Sequence, residues 1–138
     1  MTRTRILIAD DHEIFRKGLR SLLESSAEWE VCGEASNGLE AVEAARNLAP
    51  DIVVMDIGMP RLNGLDATKQ IRKELPKIQV LILSQHDSPH MLAAAADAGA
   101  LAYITKSEVA RHLVMALDEI AAGRSFGRTN KGSSQSPT

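Results

Sequence analysis

Three carboxylates, one hydroxyl and one ammonium stand where apolar runs end in this sequence. Ile6-Leu7-Ile8-Ala9 runs into Asp10 and Asp11, and Ile52-Val53-Val54-Met55 into Asp56. Val80-Leu81-Ile82-Leu83 runs into Ser84, and Leu101-Ala102-Tyr103-Ile104-Thr105 into Lys106. Carboxylates held close together repel, and they stay ionised only with a cation among them. Oxygen-only ligands suit a hard ion, Mg2+ or Mn2+. An aspartate can also attack phosphorus and become an aspartyl phosphate. The charge gained would need partners: an ion pair from Lys106, a hydroxyl hydrogen bond from Ser84, and the metal for the rest. Taken singly, each residue has a duller role. Asp11 could cap a helix, Asp10 could be a solvated loop residue and Asp56 a turn residue ahead of Pro60. Ser84 could be a loop hydroxyl and Lys106 a surface charge. Four strand ends carrying this particular set are much harder to explain by chance.

The elements that must position these groups follow from the same apolar runs. A short apolar run bounded by turn signals reads as a buried parallel strand, and open α/β sheets place their chemistry at the carboxyl ends of such strands. Strands are predicted over 5–9, 51–55, 78–83 and 101–105, with a weaker one over 30–35 at an edge. The first helix, 12–25, is capped by Asp11 and turns Phe15, Leu19, Leu22 and Leu23 to one face. The second, 38–48, follows the Asn37-Gly38 turn, puts Leu39, Val42 and Ala45 inside, and stops before Pro50. Asn63-Gly64 opens the third, 64–74, which Pro76 ends. The fourth, 89–98, is mostly alanine, which favours helix but buries little area, and Gly99 ends it. The last, 107–122, has Ser107 as cap and an apolar stripe of Val109, Leu113, Leu117 and Ile120. Five βα units imply an α/β fold: a flavodoxin-like, doubly wound (βα)5 three-layer sandwich with a parallel sheet of order 2-1-3-4-5. In that order the first and third strands are neighbours, and Asp10, Asp11 and Asp56 converge in one crevice.

Size and composition fit a single globular domain. The chain has 138 residues, of which 44% are apolar. A formal charge of −2 gives no general attraction to nucleic acid or to an anionic membrane. No apolar run approaches the ~20 residues of a membrane span, and the basic start Met1-Thr2-Arg3-Thr4-Arg5 lacks a cleavage pattern. The single Cys32 excludes an internal disulfide and a cysteine metal cluster, and a reduced cytoplasmic thiol is the reading adopted.

Over residues 4–123 the sequence resembles a receiver domain of a two-component response regulator. The resemblance rests on Asp10-Asp11, on Met55-Asp56-Ile57-Gly58-Met59-Pro60-Arg61-Leu62-Asn63-Gly64, on Leu83-Ser84 and on Tyr103-Ile104-Thr105-Lys106. It implies that Asp56 is the phosphoacceptor, that Asp11 binds Mg2+ directly, and that Asp10 does so mainly through water. It implies a third metal contact from the Gly58 carbonyl and a phosphoryl ion pair from Lys106. Ser84 and Tyr103 match the switch pair, in which the hydroxyl moves toward the phosphoryl group and the ring turns inward. Ser84-Gln85-His86-Asp87, Lys106-Ser107-Glu108 and Glu119-Ile120-Ala121-Ala122-Gly123 resemble the NarL/FixJ (LuxR-type) regulators. Those usually carry a helix-turn-helix after a linker.

The expectation is therefore a receiver over 1–123 and a flexible tail, or a linker to an absent helix-turn-helix domain, over 124–138. The donor would be a sensor histidine kinase and the location cytoplasmic. The chain would be a phosphoacceptor signalling domain with self-catalysed phosphotransfer and weak autodephosphorylation, not a turnover enzyme. DNA would be contacted only through the absent domain, in transcriptional regulation, and a homodimer through the first or last helix is left open. Two rival classes remain in view. A haloacid-dehalogenase-like phosphatase also forms an aspartyl phosphate, but typically has a second carboxylate two residues after the nucleophile, where this chain has Gly58. The other is a stand-alone receiver or an interaction module that works without phosphorylation.

Overall fold

The structure, a computed structural model, describes residues 3–124 and the backbone of 126–127. Strands and helices alternate: β1 (Thr4–Ala9), α1 (Glu13–Glu24), β2 (Trp29–Ala35), α2 (Gly38–Leu48), β3 (Ile52–Asp56), α3 (Gly64–Glu74), β4 (Gln79–Ser84), α4 (Pro89–Ala98), β5 (Ala102–Thr105), a 3-10 turn (Lys106–Glu108), α5 (Val109–Ala121) and β6 (Phe126–Gly127). All pairings are parallel and the order is β2-β1-β3-β4-β5-β6. The expected order 2-1-3-4-5 is present, extended by one short strand. β6 falls in the stretch read from sequence as a tail, and residues 128–138 of that stretch lie outside the described residues.

β1, β3, β4 and β5 are apolar on both sides because both faces are covered. On one face Leu7, Val53, Met55, Val80, Ile82 and Tyr103 pack against α2, α3 and α4. On the other, Ile6, Ile8, Val54, Leu81, Leu83 and Ile104 pack against α1 and α5. β2 lies at the sheet edge, where a bulge opposite Ile6 and Leu7 leaves Cys32 unpaired in the register. Burial pushes the thiol of this half-buried cysteine up.

Three local expectations need correction. The N-cap of α1 is His12, not Asp11, and no side chain caps it. Instead Asp10 Oδ1 accepts the His12 backbone N–H at 2.8 Å. Ser107 does not cap the last helix: Thr105 and Glu108 form a capping box around the 3-10 turn that leads into α5. In α2, Leu39 is 50% exposed, while Gly38, Ala41, Val42 and Ala45 face the sheet. The stripe of α5 is as expected, with Val109, Leu113, Leu117 and Ile120 all buried. So is the thin seat of α4, whose buried residues are Leu92, Ala95 and Ala98.

Candidate functional site

Register brings the strand ends level. Ala9 pairs with Met55, Asp56 with Leu83 and Ser84 with Thr105, so Asp10, Asp56, Ser84 and Lys106 share the carboxyl rim. Asp10 is fully buried and Asp56 is 2% exposed. Lys106 Nζ lies 2.8 Å from Asp10 Oδ2 and 3.5 Å from Asp56 Oδ1. The same ammonium stands 4.5 Å from the centre of the Phe15 ring, a cation–π contact that lines its path from α1. Asp56 Oδ2 is buried without a hydrogen-bond partner. Burial, with the Asp10 carboxylate beside it, pushes the Asp56 carboxyl above its ordinary value, and Lys106 pulls against that shift. Asp11 is exposed in the loop above and completes a cluster with Asp10, His12 and Asp56 whose ligand atoms lie within 4.8 Å of one another. This donor set and the orphaned Asp56 oxygen suit a divalent cation.

Two glycines hold the loop after Asp56 in place. A Cβ on Gly64 would overlap the Asp56 carbonyl, and one on Gly38 would overlap the Leu62 carbonyl. The Gly64 N–H donates to Ile57 O at 2.9 Å and closes the loop over Gly58. Asn63 Oδ1 caps α3 by accepting the Asp66 N–H at 2.9 Å.

A cleft of about 420 Å³ opens beside Asp56, lined by Ile57, Gly58, Ser84, Gln85, His86, Ser88 and Met91. Ser84 Oγ donates to the His86 carbonyl at 2.8 Å, and the Tyr103 hydroxyl donates to the same carbonyl at 2.9 Å. Tyr103 is buried under α4. The two expected switch residues therefore meet at one backbone oxygen of the β4–α4 loop. In this conformation the Ser84 hydroxyl is engaged with the loop and not with Asp56.

The structure thus gathers Asp10, Asp11, Asp56 and Lys106 in one pocket and puts Gly58 and Ser84 at its cleft, with Tyr103 behind. Three residues that sequence reasoning passed over also take part. His12 sets Nδ1 3.0 Å from Asp10 Oδ1 and 3.3 Å from Asp11 Oδ1. Arg16 donates to the Asp10 carbonyl at 2.7 Å and to Glu34 at 2.8 Å, which ties the acidic loop to β2. His86 contributes its backbone carbonyl, which accepts from Ser84 and Tyr103, and its N–H. The position of His12, directly after the acidic pair, was a readable signal. Arg16 and His86 had none, because their roles depend on contacts across the sheet.

A doubly wound parallel sheet with an acidic pocket and a lysine at its carboxyl rim defines a class. Residues 6–118 match the response regulator receiver domain, and the chain belongs to that family, the receivers of two-component response regulators. It is 42% identical over 119 residues to the transcriptional regulatory protein LnrK of Bacillus subtilis, covering 86% of this chain and 54% of that one. It is 38% identical over 121 residues to the response regulator protein VraR of Staphylococcus aureus, covering 88% of this chain and 58% of that one. A LuxR-family two-component response regulator from Aurantimonas sp. superposes with a TM-score of 0.85 at 39% identity, covering 90% of this chain and 89% of that one. The receiver domain of the putative regulator NarL from Mycobacterium tuberculosis gives 0.86 at 31% identity, covering 90% of this chain and all of that one. The chain spans about half the length of the curated relatives it matches. Among the described residues, no helix is long and apolar enough to cross a membrane.

Proposed function

We propose that this receiver accepts a phosphoryl group on Asp56 from a sensor histidine kinase and switches an output surface in response. The observation that carries the reading is Asp56 itself: a buried carboxylate with an unpartnered oxygen, beside an ammonium, at the wall of an open cleft. Asp10, Asp11, Asp56 and the Gly58 carbonyl would hold Mg2+, or Mn2+ in its place. What the ion supplies there is positive charge against the carboxylates and the phosphoryl oxygens. An Asp56 oxygen forms the bond to phosphorus as the phosphorus–nitrogen bond to the kinase histidine breaks, and the leaving imidazole takes a proton from solvent. Lys106, held between Asp10 and Asp56, turns to the new phosphoryl oxygens. The chain's own groups carry out this transfer and a slow hydrolysis.

Ser84 leaves the His86 carbonyl for the phosphoryl group, which frees the β4–α4 loop and shifts a two-state equilibrium through Tyr103. The surface of α4, β5 and α5 reads out that shift, and the small buried area of α4 suits it to move. The receiver is taken as residues 1–123 with β6 added to its sheet and a tail or linker after that, acting in the cytoplasm. In a longer protein with a DNA-binding domain it would serve transcription, and DNA contact would come through that domain.

The test is intact mass after incubation with acetyl phosphate, with and without Mg2+, for the wild type and Asp56→Asn. A metal-dependent gain of one phosphoryl group, absent in the variant, is expected. A gain that survives in Asp56→Asn would assign a different nucleophile. No gain in the wild type, with no binding of beryllofluoride, would leave a receiver fold used without phosphorylation.

A further inference from the structure

Tyr103 is held at three places of unequal strength. Its hydroxyl donates to the His86 carbonyl at 2.9 Å, and Ser84 Oγ donates to the same oxygen at 2.8 Å. The His86 N–H donates back to Ser84 Oγ at 3.2 Å. A carbonyl oxygen has two lone pairs, so this one is fully used. On its inner side β5 pairs with β4 over four residues, Ala102 to Thr105 against Leu81 to Ser84. On its outer side it pairs with β6 over two, Ala102 with Phe126 and Tyr103 with Gly127. The residue whose hydroxyl reaches the β4–α4 loop is thus also half of the shorter ladder.

These contacts occur together in a conformation whose Ser84 hydroxyl is bound to the loop and not to Asp56. When Ser84 leaves for a phosphoryl group, the loop that carries the His86 carbonyl changes shape. Tyr103 is 2% exposed, and a buried hydroxyl left without a partner is costly, so the phenol follows its acceptor or finds another. The ring is rigid, so that movement passes to χ1 and to the Tyr103 backbone. Backbone movement strains both ladders, and a two-residue pairing at the sheet edge opens before a four-residue pairing inside the sheet.

We propose that β6 is a latch on the switch: it pairs with β5 while Asp56 is unphosphorylated and opens when Asp56 is phosphorylated. The inference rests on the phosphorylation of Asp56 proposed above. β6 joins α5 to the chain beyond Gly127, so its opening frees the attachment of whatever follows the receiver. Coupling of this kind is reciprocal: what phosphorylation does to the latch, removal of the latch does to phosphorylation. β6 therefore holds the receiver in its unphosphorylated form.

The test uses beryllofluoride with Mg2+ as the phosphoryl mimic. It compares the full chain with a chain ending at Arg124 and with a full-length chain carrying both Phe126→Pro and Gly127→Pro, which removes both amide donors of β6. In the wild type, the amides that bond β5 to β6 should exchange about tenfold faster once beryllofluoride binds, while those of β1 and β3 stay unchanged. Exchange through the latch scales with its open fraction, so the Kd for beryllofluoride should fall by the same factor, about tenfold, in both altered chains. Tyr103→Phe lacks the hydroxyl and should bind beryllofluoride without faster exchange at β6. Unchanged or slower exchange on binding, a wild-type Kd in both altered chains, or a full response in Tyr103→Phe would overturn the latch and leave Asp56 standing as acceptor. Failure of the wild type to bind beryllofluoride would overturn the proposed phosphorylation and this inference with it.

Discussion

Asp56 is a carboxylate removed from water beside another carboxylate, with a single ammonium to offset both. Its folded pKa lies above its unfolded one, so the folded state holds the proton more tightly. Stability from this group is complete at pH below the unfolded value and is lost as pH rises through the raised folded value. At neutral pH the metal-free pocket therefore carries a destabilising charge. Asp56→Asn should raise the melting temperature in metal-free buffer by a few degrees, about 1 kcal/mol. It should also flatten the fall in stability as pH rises above the unfolded carboxylate value of about 4, and calorimetry at a series of pH values above it checks both. Added Mg2+ should narrow the gap between variant and wild type, because the proposed metal site exists in the folded wild type and loses a ligand in the variant. Glu34 behaves in the opposite sense. The hydrogen bond from Arg16 holds its carboxyl below the ordinary range, so its contribution is present above the unfolded pKa and lost as pH falls through the depressed one.

The β3–α3 loop shows how element geometry sets the chemistry above it. Gly64 lets the start of α3 approach the Asp56 carbonyl, and a methyl group there has no room, because the atoms it meets are backbone. Gly64→Ala should move the loop that carries Gly58, cost roughly 2 kcal/mol or more, and weaken Mg2+ binding, as read by chemical denaturation and titration. Much of this level was legible beforehand. The strand ends, the parallel order, and the spans of α2, α3 and α4 follow from apolar runs and from the Asn-Gly, Pro and Gly signals around them. What escaped was decided by contacts distant in sequence. Leu39 is the largest apolar residue in the first turn of α2, yet it points outward. Gly38 must face inward to let the Leu62 carbonyl pass, and that fixes the helical phase on Ala41, Val42 and Ala45. Asp11 looked like a cap, but the acidic loop is tied down through Asp10, which takes the His12 N–H and offers its carbonyl to Arg16. Thr105 replaced Ser107 as cap because the chain leaves β5 through a 3-10 turn, which starts helical geometry earlier than the pattern suggested. The meeting of Ser84 and Tyr103 at the His86 carbonyl could not be read from residue types, since the acceptor is main chain.

At the scale of the whole molecule, the crossover through α5 adds β6 beside β5, so the described sheet ends at β2 and β6. The pairs are Ala102 with Phe126 and Tyr103 with Gly127. An edge strand leaves a row of backbone groups unpaired, and β6 removes that edge from β5. Tyr103 is thus held from two sides: its hydroxyl bonds the β4–α4 loop, and its backbone pairs with the strand that follows α5. A chain ending at Arg124 would keep the Arg124–Glu119 ion pair at the end of α5 and lose the β6 pairing. In that variant, the β5 amides that bond to β6 should exchange about tenfold faster, the effect of losing on the order of 1 kcal/mol of local protection. Amides of β1 and β3, buried in the middle of the sheet, should keep their protection, because their neighbours are untouched. Hydrogen exchange read by mass spectrometry separates the two sets. Equal exchange in both chains would mean that β6 adds nothing to the hold on β5, and that the Tyr103 hydroxyl bond and the packing under α4 secure that strand by themselves.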